Sequence, residues 1–184
     1  MNRYLAALIA GSALALGACS QSAADADTDT AGVETSSRTL AALIADTGDY
    51  STVAGAMKTS GLSDVFDGSA PYTVLVPTDE AFAALGADAE LLAGEEQRAA
   101  MVAVLRDHIV PGSLTPQDIS DAIDAAPEGS VTMTSMGDHD ITFARSGDSI
   151  TATSSDGSSA RFAGDAMQAA NGVAIPLDAV LKKI

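Results

Sequence analysis

The stretch "YTVLVPTDEAFAAL", from Tyr72 to Leu85, changes from a strand pattern to a helix pattern at a single proline. Residues 72–76 carry no charge and are nearly all apolar, which predicts a strand that is buried on both faces. Thr78 is the predicted helix N-cap, and Asp79 lies in the first turn, where a carboxylate favours the positive end of the helix dipole. Phe82 is predicted to point inward from this helix.

Amphipathic helices are predicted on both sides of this stretch. Residues 38–61 have apolar side chains at helical spacing, with glycines at the predicted helix ends. Residues 95–112, "EEQRAAMVAVLRDHIVPG", have the clearest helical pattern in the chain. Its predicted apolar face consists of Ala99, Met101, Val102, Leu105 and Ile109. Thr115 is the predicted cap of a further helix, and Pro116 suits its first position because proline lacks an N–H.

Beyond Pro127 the pattern becomes that of short antiparallel strands. The segments "SVTMTS", "DITFAR" and "SITATS" alternate apolar and polar residues, with Ser-Gly-Asp and Ser-Asp-Gly turns between the later ones. The chain closes with "NGVAIPLDAVLKKI", a turn that leads into another apolar strand. Helices come first and strands second, so the predicted fold class is α+β, with N-terminal helices packed against a sandwich or meander of short strands.

Composition and charge limit the possible partners. The chain has 184 residues, 47% of them hydrophobic and none of them tryptophan, which is enough for one well-buried aliphatic core. The formal net charge of −16 repels phosphate backbones, so we expect no nucleic-acid binding. The chain also lacks a polybasic segment that would attract it to an anionic lipid surface.

The first residues, "MNRYLAALIAGSALALGACS", have the layout of a secretory signal, and the apolar run is too short to predict a lasting membrane span. Residues 16–19, Leu-Gly-Ala-Cys, resemble a bacterial lipobox, in which the cysteine sulfur carries a diacylglycerol. The alternative is an ordinary signal peptide with a chance cysteine. Cys19 is the only cysteine of the chain, and two or three acyl chains make a stable membrane anchor. Ser20 replaces the aspartate that marks inner-membrane retention in Gram-negative lipoproteins, which favours the outer membrane.

Residues 20–37 are mainly Ala, Asp, Thr and Ser and predict a disordered acidic tether. Its alternating aspartates suggest a calcium loop, but Thr30 stands where that loop needs glycine, and Ser36 where it needs glutamate. The predicted organisation is a lipoprotein signal peptide at residues 1–18, a lipidated cysteine with its tether at 19–37, and one domain at 38–184.

Three segments, taken in order, resemble signatures of the fasciclin domain family. "YTVLVPTDEAFAAL" resembles the first signature, "LRDHIVPG" the central Tyr-His-hydrophobic-hydrophobic-Pro-Gly segment, and "NGVAIPLDAVL" the closing Asn-Gly-Val signature. The resemblance covers the whole domain at residues 38–184 and implies the fasciclin fold. The motif positions that it selects, for a structural or an interaction role, are Thr78, Asp79, Phe82, His108, Pro111, Gly112, Asn171, Gly172 and Asp178.

The chain departs from the family pattern at two places. Asp107 replaces the tyrosine usually found before the histidine, and Ile175 and Pro176 stand where members often carry histidine and a branched aliphatic residue. The Tyr-His segment is linked in animal members to integrin-dependent adhesion. Asp107 therefore weakens the transfer of that role to this chain.

The roles of the polar motif residues follow from their neighbours. The resemblance implies that Thr78 and Asp79 join and cap a helix rather than bind a ligand. His108 has two interpretations: a buried, hydrogen-bonded side chain, or a pH-sensitive or binding group. His139 lies in the turn "GDHDI" and is predicted to be a solvated turn residue.

No catalytic signature is visible in the sequence. There is no G-x-S-x-G elbow, no phosphate-binding glycine pattern and no zinc-ligand spacing, and the only cysteine is expected to be blocked by lipid. We therefore predict neither enzymatic activity nor a metal or cofactor.

The lipobox, the tether and the absence of a catalytic signature predict a lipid-anchored interaction module without catalysis. The family resemblance implies that it adheres to matrix, to other cells or to envelope polymers. The alternative is a carrier of an apolar small molecule, a lipid or a carotenoid, as some members bind such ligands. In that case the methionines would line an adaptable cavity instead of filling core gaps. They are Met57, Met101, Met133 and Met167. The expected location is the envelope of a Gram-negative bacterium, on the periplasmic or the outward side of the outer membrane.

Overall fold

The computed structural model describes residues 36–66, 68–87, 89 and 97–182. The predicted signal peptide, Cys19 and almost all of the tether lie outside these residues. The helices are α1 (Leu40–Asp46), α2 (Ser51–Ser60), α3 (Leu62–Phe66), α4 (Asp79–Ala83), α5 (Arg98–Asp107) and α6 (Pro116–Ala125). The strands are β1 (Tyr72–Pro77), β2 (Ile109–Pro111), β3 (Ser130–Thr134), β4 (Asp140–Ser146), β5 (Ser149–Ser154), β6 (Ser159–Arg161), β7 (Met167–Ala169) and β8 (Gly172–Leu177).

The strands form two four-stranded sheets. The first sheet has the order β2-β1-β8-β7, and the second has the order β3-β4-β5-β6. β1 and β8 run parallel, with Tyr72 opposite Gly172 and Pro77 opposite Leu177, whereas the other neighbours are antiparallel. The prediction of an α+β fold with N-terminal helices and a meander of short strands is confirmed. No helix within the described ranges has the length and apolar character that a bilayer crossing requires.

The first sheet is covered on both faces, as the sequence of β1 predicted. Val74 and Val76 pack into the cluster formed with α1 to α5, whereas Leu75 packs into the cluster formed with the second sheet and α6. Because successive side chains of a strand point to opposite faces, a strand between two apolar layers must be apolar throughout.

The predicted helix caps are confirmed by their hydrogen bonds. The Thr78 hydroxyl accepts from the Ala81 N–H at 3.1 Å. At the start of α6, Thr115 and Asp118 form a reciprocal capping box, in which each side chain accepts from the other residue's N–H. The local sequence thus determines where these helices begin.

The predicted apolar face of α5 is partly wrong. Met101 and Leu105 are buried as expected, but Val104 is buried too, whereas Val102 is only half-buried and Ala99 is exposed. The helix ends at Asp107 and β2 begins at Ile109, so Ile109 is buried from a strand and not from the helix. Pairing with β1 ends the helix before its apolar pattern does.

Candidate functional site

Asp79 caps a helix other than its own. Its two carboxylate oxygens accept from the backbone N–H groups of Ser51 and Thr52, at 3.1 and 2.8 Å, and from the Ser51 hydroxyl at 2.6 Å. Burial raises the pKa of this carboxyl, but the hydrogen bonds from Ser51 and Thr52 together outweigh that effect, so the pKa of Asp79 lies below its usual value. Asp79 therefore fastens the start of α2 to the start of α4. The implication that Thr78 and Asp79 join and cap agrees with this geometry, although no local pattern predicts that Asp79 reaches α2.

Asn171 joins three segments of the chain. Its side-chain oxygen accepts from the Leu40 N–H at 2.9 Å, and its side-chain nitrogen donates to the carbonyls of Phe66 and Gly68. The residue is buried, so these contacts satisfy groups that water does not reach. The asparagine of the closing signature holds the starts of α1 and β8 and the end of α3 together.

Gly172 allows two backbones to approach closely. Its φ is +153°, and a Cβ at this position would lie 2.0 Å from the Tyr72 carbonyl oxygen and 2.7 Å from a methyl of Leu40. A real Cβ cannot be accommodated at such distances. The glycine of the closing signature is thus required where β8 begins to pair with β1.

His108 is buried, and both of its ring nitrogens contact the backbone. Nδ1 lies 2.7 Å from the Val104 carbonyl oxygen, and Nε2 accepts from the Leu181 N–H at 2.9 Å. Because the Leu181 amide can only donate, Nε2 carries no hydrogen and Nδ1 is the donor. Burial lowers the pKa of His108 below its usual value, so the ring is neutral at pH 7. Of the two interpretations, the geometry favours the structural one.

The remaining motif positions also lie at joints of the fold. Phe82 is buried in the cluster beneath α4. Pro111 is the exposed end of β2, opposite Tyr72, and Gly112, with φ +102°, donates its N–H to the Pro71 carbonyl at 3.0 Å. Asp178 is exposed, and its carboxylate accepts from the Arg161 N–H at 2.7 Å.

A charged cluster at the end of α5 was missed by sequence reasoning. Asp107 is only 3% exposed; one of its oxygens lies 2.7 Å from His139 Nδ1, and the other accepts from Lys182 Nζ at 3.0 Å. The histidine is therefore not simply a solvated turn residue, although 46% of its side chain is accessible. Because the partners lie 32 and 75 positions from Asp107, no local pattern joins them.

Gly137 makes room for the buried carboxylate of this cluster. A Cβ on Gly137 would lie 1.9 Å from Asp107 Oδ1. Glycine at this position therefore lets the turn between β3 and β4 close over Asp107 without displacing its carboxylate. The cluster ties that turn and Lys182, near the end of the described chain, to the last turn of α5.

Two features of the described residues bear on ligand binding. Within the described residues, no three His, Cys, Asp or Glu side chains are placed to hold a metal ion. The enclosed apolar cavity beneath α2 and α5, next to His108 and Phe82, has a volume of about 10 Å³, which is about the room that one water needs. Met57 and Met101 are buried, and Met133 and Met167 are half-buried against the cores. The methionines thus fill core gaps in this structure.

Comparison with known proteins assigns a family. A sequence profile of the Fasciclin domain matches residues 48–183, well over half of the chain. Protein sll1483 from Synechocystis sp. is 34% identical over 85 residues, which are 46% of this chain and 47% of that protein. Among solved structures, a FAS1 domain pair from the insect cell adhesion molecule fasciclin I is similar in fold, with a TM-score of 0.70 and 14% identity over 80% of this chain and 52% of that one. The chain spans about half the length of both relatives.

Proposed function

The chain belongs to the fasciclin domain family, and from this premise we propose that it is an adhesion module of a bacterial cell envelope, anchored by lipid on Cys19 and without catalytic activity of its own. Fasciclin domains are associated with adhesion and interaction. The proposal extends that association to a single domain that is presented at a membrane on a flexible tether.

The use of the polar motif side chains supports the proposal. Asp79, His108 and Asn171 each bind backbone groups from distant parts of the chain. These side chains therefore hold the fold and are not directed at a substrate. What remains for a partner is the outer surface of the domain, which suits binding rather than catalysis.

The central segment is an unsuitable contact surface in this chain. Where family members carry tyrosine, Asp107 is 3% exposed, and the following His108 is buried. A partner that reads an exposed Tyr-His pair would find neither side chain here. We propose that adhesion uses another surface of the domain.

The lipid anchor is tested by replacing its sulfur. Cells that produce the Cys19→Ala chain are expected to release the domain from membranes, whereas the wild type sediments with the outer-membrane fraction. Because both chains keep the same domain, immunoblots of the fractions report on the anchor alone. A variant that stays as firmly attached as the wild type would show that the anchor proposal is wrong.

Orientation is tested by protease accessibility on intact cells. An adhesion module for surfaces or neighbouring cells must face outward, so we expect the protease to cleave the domain without opening the outer membrane. A periplasmic protein of the same strain serves as the control for leakage. If the domain is protected until the outer membrane is opened, adhesion between cells is contradicted. The partner of the module would then be a polymer of the periplasm.

The carrier function is the second candidate, favoured by one surface groove. The groove lies on α1, α2 and the start of α3, has a volume of about 240 Å³ and is lined by small side chains together with Met57 and Lys58. Ligand sites usually have volumes of about 300–1,000 Å³, so a lipid or carotenoid would need a wider groove. Organic extraction of the full chain purified from its own host, read by visible absorption and mass spectrometry, decides the matter. Repeatedly clean extracts would eliminate the carrier function.

A further inference from the structure

The outer face of the second sheet carries a regular array of hydroxyl groups. The strand register places Thr132 opposite Thr142, Thr142 opposite Thr153, and Thr153 opposite Ser159, which makes one row across four strands. A second row, two residues along, consists of Ser130, Ala144, Thr151 and Arg161. Neighbouring strands lie about 4.8 Å apart, and same-face residues of one strand about 6.6 Å apart. The hydroxyls therefore form a grid, which we call the hydroxyl face.

The opposite side of the same strands fixes the orientation of this grid. Val131, Ile141, Phe143 and Ile150, which alternate with the hydroxyl residues, pack into the core with the first sheet and α6. Side chains alternate along a strand, so the threonines must point away from the core. Thr132 and Ser159 are exposed accordingly, and the central Thr142 and Thr153 are half-buried by their neighbours.

We infer that the hydroxyl face binds an uncharged polysaccharide. This inference identifies the partner of the adhesion module and rests on the proposed function. The first argument is charge. The chain has a net charge of −16, but the outward positions of this sheet carry one carboxylate, Asp140, and one guanidinium, Arg161. The Asp140 carboxylate accepts a hydrogen bond from the Thr134 hydroxyl at 2.9 Å. An anionic polymer would be repelled by the rest of the domain, whereas an uncharged polymer meets a locally neutral surface.

The second argument is the chemistry of the contact groups. Each threonine or serine hydroxyl offers one donor and two acceptors, which is the same set that a sugar hydroxyl presents. Thr132 and Thr142 bond each other at 3.0 Å and retain acceptor sites. The face therefore offers acceptor sites to a sugar hydroxyl.

The third argument separates a polysaccharide from a protein partner. Protein interfaces draw most of their affinity from buried aromatic and arginine side chains. The hydroxyl face has no aromatic residue and no aliphatic residue larger than alanine, and it has one arginine at its border. A surface of hydroxyls and methyls offers many weak contacts and no anchor. Such binding gains strength from many copies on one membrane.

The experiment measures retention of the full chain, purified in mild detergent, on two insoluble uncharged glucans, cellulose and cross-linked dextran. Carboxymethyl-cellulose, which adds carboxylates to the same backbone, is the matched anionic probe. We expect retention on at least one uncharged glucan and at least ten-fold less on the anionic one. Retention on neither uncharged glucan, or equal retention on carboxymethyl-cellulose, would overturn the inference. So would retention on gelatin-coated beads alone, which would assign the face to a protein.

Variants locate the binding surface. Thr132→Val, Thr142→Val and Thr153→Val, combined, remove one row of hydroxyls and keep the β-branched shape, and we expect at least ten-fold less retention. Thr59→Val, on the exposed side of α2, is the control and should bind like the wild type. If the combined variant does not fold, Thr153→Val alone is measured, with an expected loss of several-fold. Unchanged retention of the folded variant overturns the inference. The proposed function survives that failure if cells still attach to other surfaces.

Discussion

Oδ1 of Asp107 lies 2.7 Å from Nδ1 of His139, and through this contact the turn of the second sheet is fastened to the last turn of α5. Lys182 contacts the other oxygen of the same carboxylate. In the family pattern, the position of Asp107 belongs to a tyrosine. Asp107 thus forms a buried ion pair at a position that the family resemblance links to adhesion in animal members, and under the proposed function the adhesion surface lies elsewhere.

The ionic joint predicts a loss of stability when its carboxylate is neutralised. Asp107→Asn should lower the free energy of unfolding by about 2 kcal/mol, because it removes the buried negative charge and one of the two acceptor oxygens that His139 and Lys182 contact. In a double-mutant cycle with Lys182→Met, the two effects should be less than additive, since both remove the same contact. Urea unfolding measures each variant. Lys58→Met, on the exposed side of α2, is the control and should change stability by less than about 0.5 kcal/mol. Full additivity would mean that the pair does not interact.

The close approach of Gly137 to Asp107 predicts a steric effect. Gly137→Ala places a methyl group 1.9 Å from Asp107 Oδ1, so we expect a loss of about 1–3 kcal/mol in the free energy of unfolding. Gly55→Ala is the matched control, because its Cβ meets nothing within 4 Å in the middle of α2. That control should be stabilising by up to about 1 kcal/mol, since alanine favours a helix over glycine. The steric account fails if the two variants have the same melting temperature.

The burial of His108 predicts a pH dependence of stability. Because its pKa in the folded chain lies below the usual 6.5, the unfolded chain binds more protons as the pH falls through 6.5. Stability from this group is therefore complete above pH 6.5 and declines below it, by at most about 1.4 kcal/mol per pH unit. The His108→Gln variant lacks the pH-dependent contribution of His108, and His139 is present in both proteins. The difference between their unfolding free energies therefore isolates the contribution of His108. Chemical denaturation from pH 8 to pH 5 provides the comparison, and parallel profiles would contradict the account.

The three contacts of Asn171 predict an order among its variants. Asn171→Ala leaves the Leu40 amide and two carbonyls unpaired, which should cost at least about 2 kcal/mol. Asn171→Asp keeps the acceptor for Leu40 but places a carboxylate against the carbonyl oxygens of Phe66 and Gly68, so it should be the less stable of the two at pH 7. Circular dichroism during urea unfolding gives both values. An aspartate variant as stable as the wild type would remove the argument that the amide nitrogen is needed.

Much of the fold was predictable because its determinants are local. The apolar run of β1 requires two covering layers, and Thr78 and Thr115 fix helix starts through contacts three residues away. The buried face of α5 was less predictable, because the residue at which the helix ends depends on where β2 pairs with β1. The parallel pairing of β1 with β8 joins residues 100 positions apart, and no pattern in either strand specifies its neighbour.

The candidate site was predictable in its residues but not in their partners. The motif resemblance selected Asp79, His108 and Asn171, and all three proved to be joints of the fold. Their contacts reach Ser51, Leu181 and Leu40 across the chain, so no sequence window includes both members of a pair. In the sequence, the hydroxyl face appears only as alternating threonines, because the rows of hydroxyls depend on the register between strands.

The central claim, that this chain is an adhesion module, is tested most directly by attachment of cells that lack it. A deletion strain carrying either an empty vector or the wild-type chain should be compared for attachment to glucan-coated and to protein-coated surfaces under flow. The account predicts that restoring the chain raises attachment several-fold on at least one surface, and that the Cys19→Ala chain does not. Equal attachment of all three strains to both surfaces, with the wild-type chain detected in the envelope, would contradict the account.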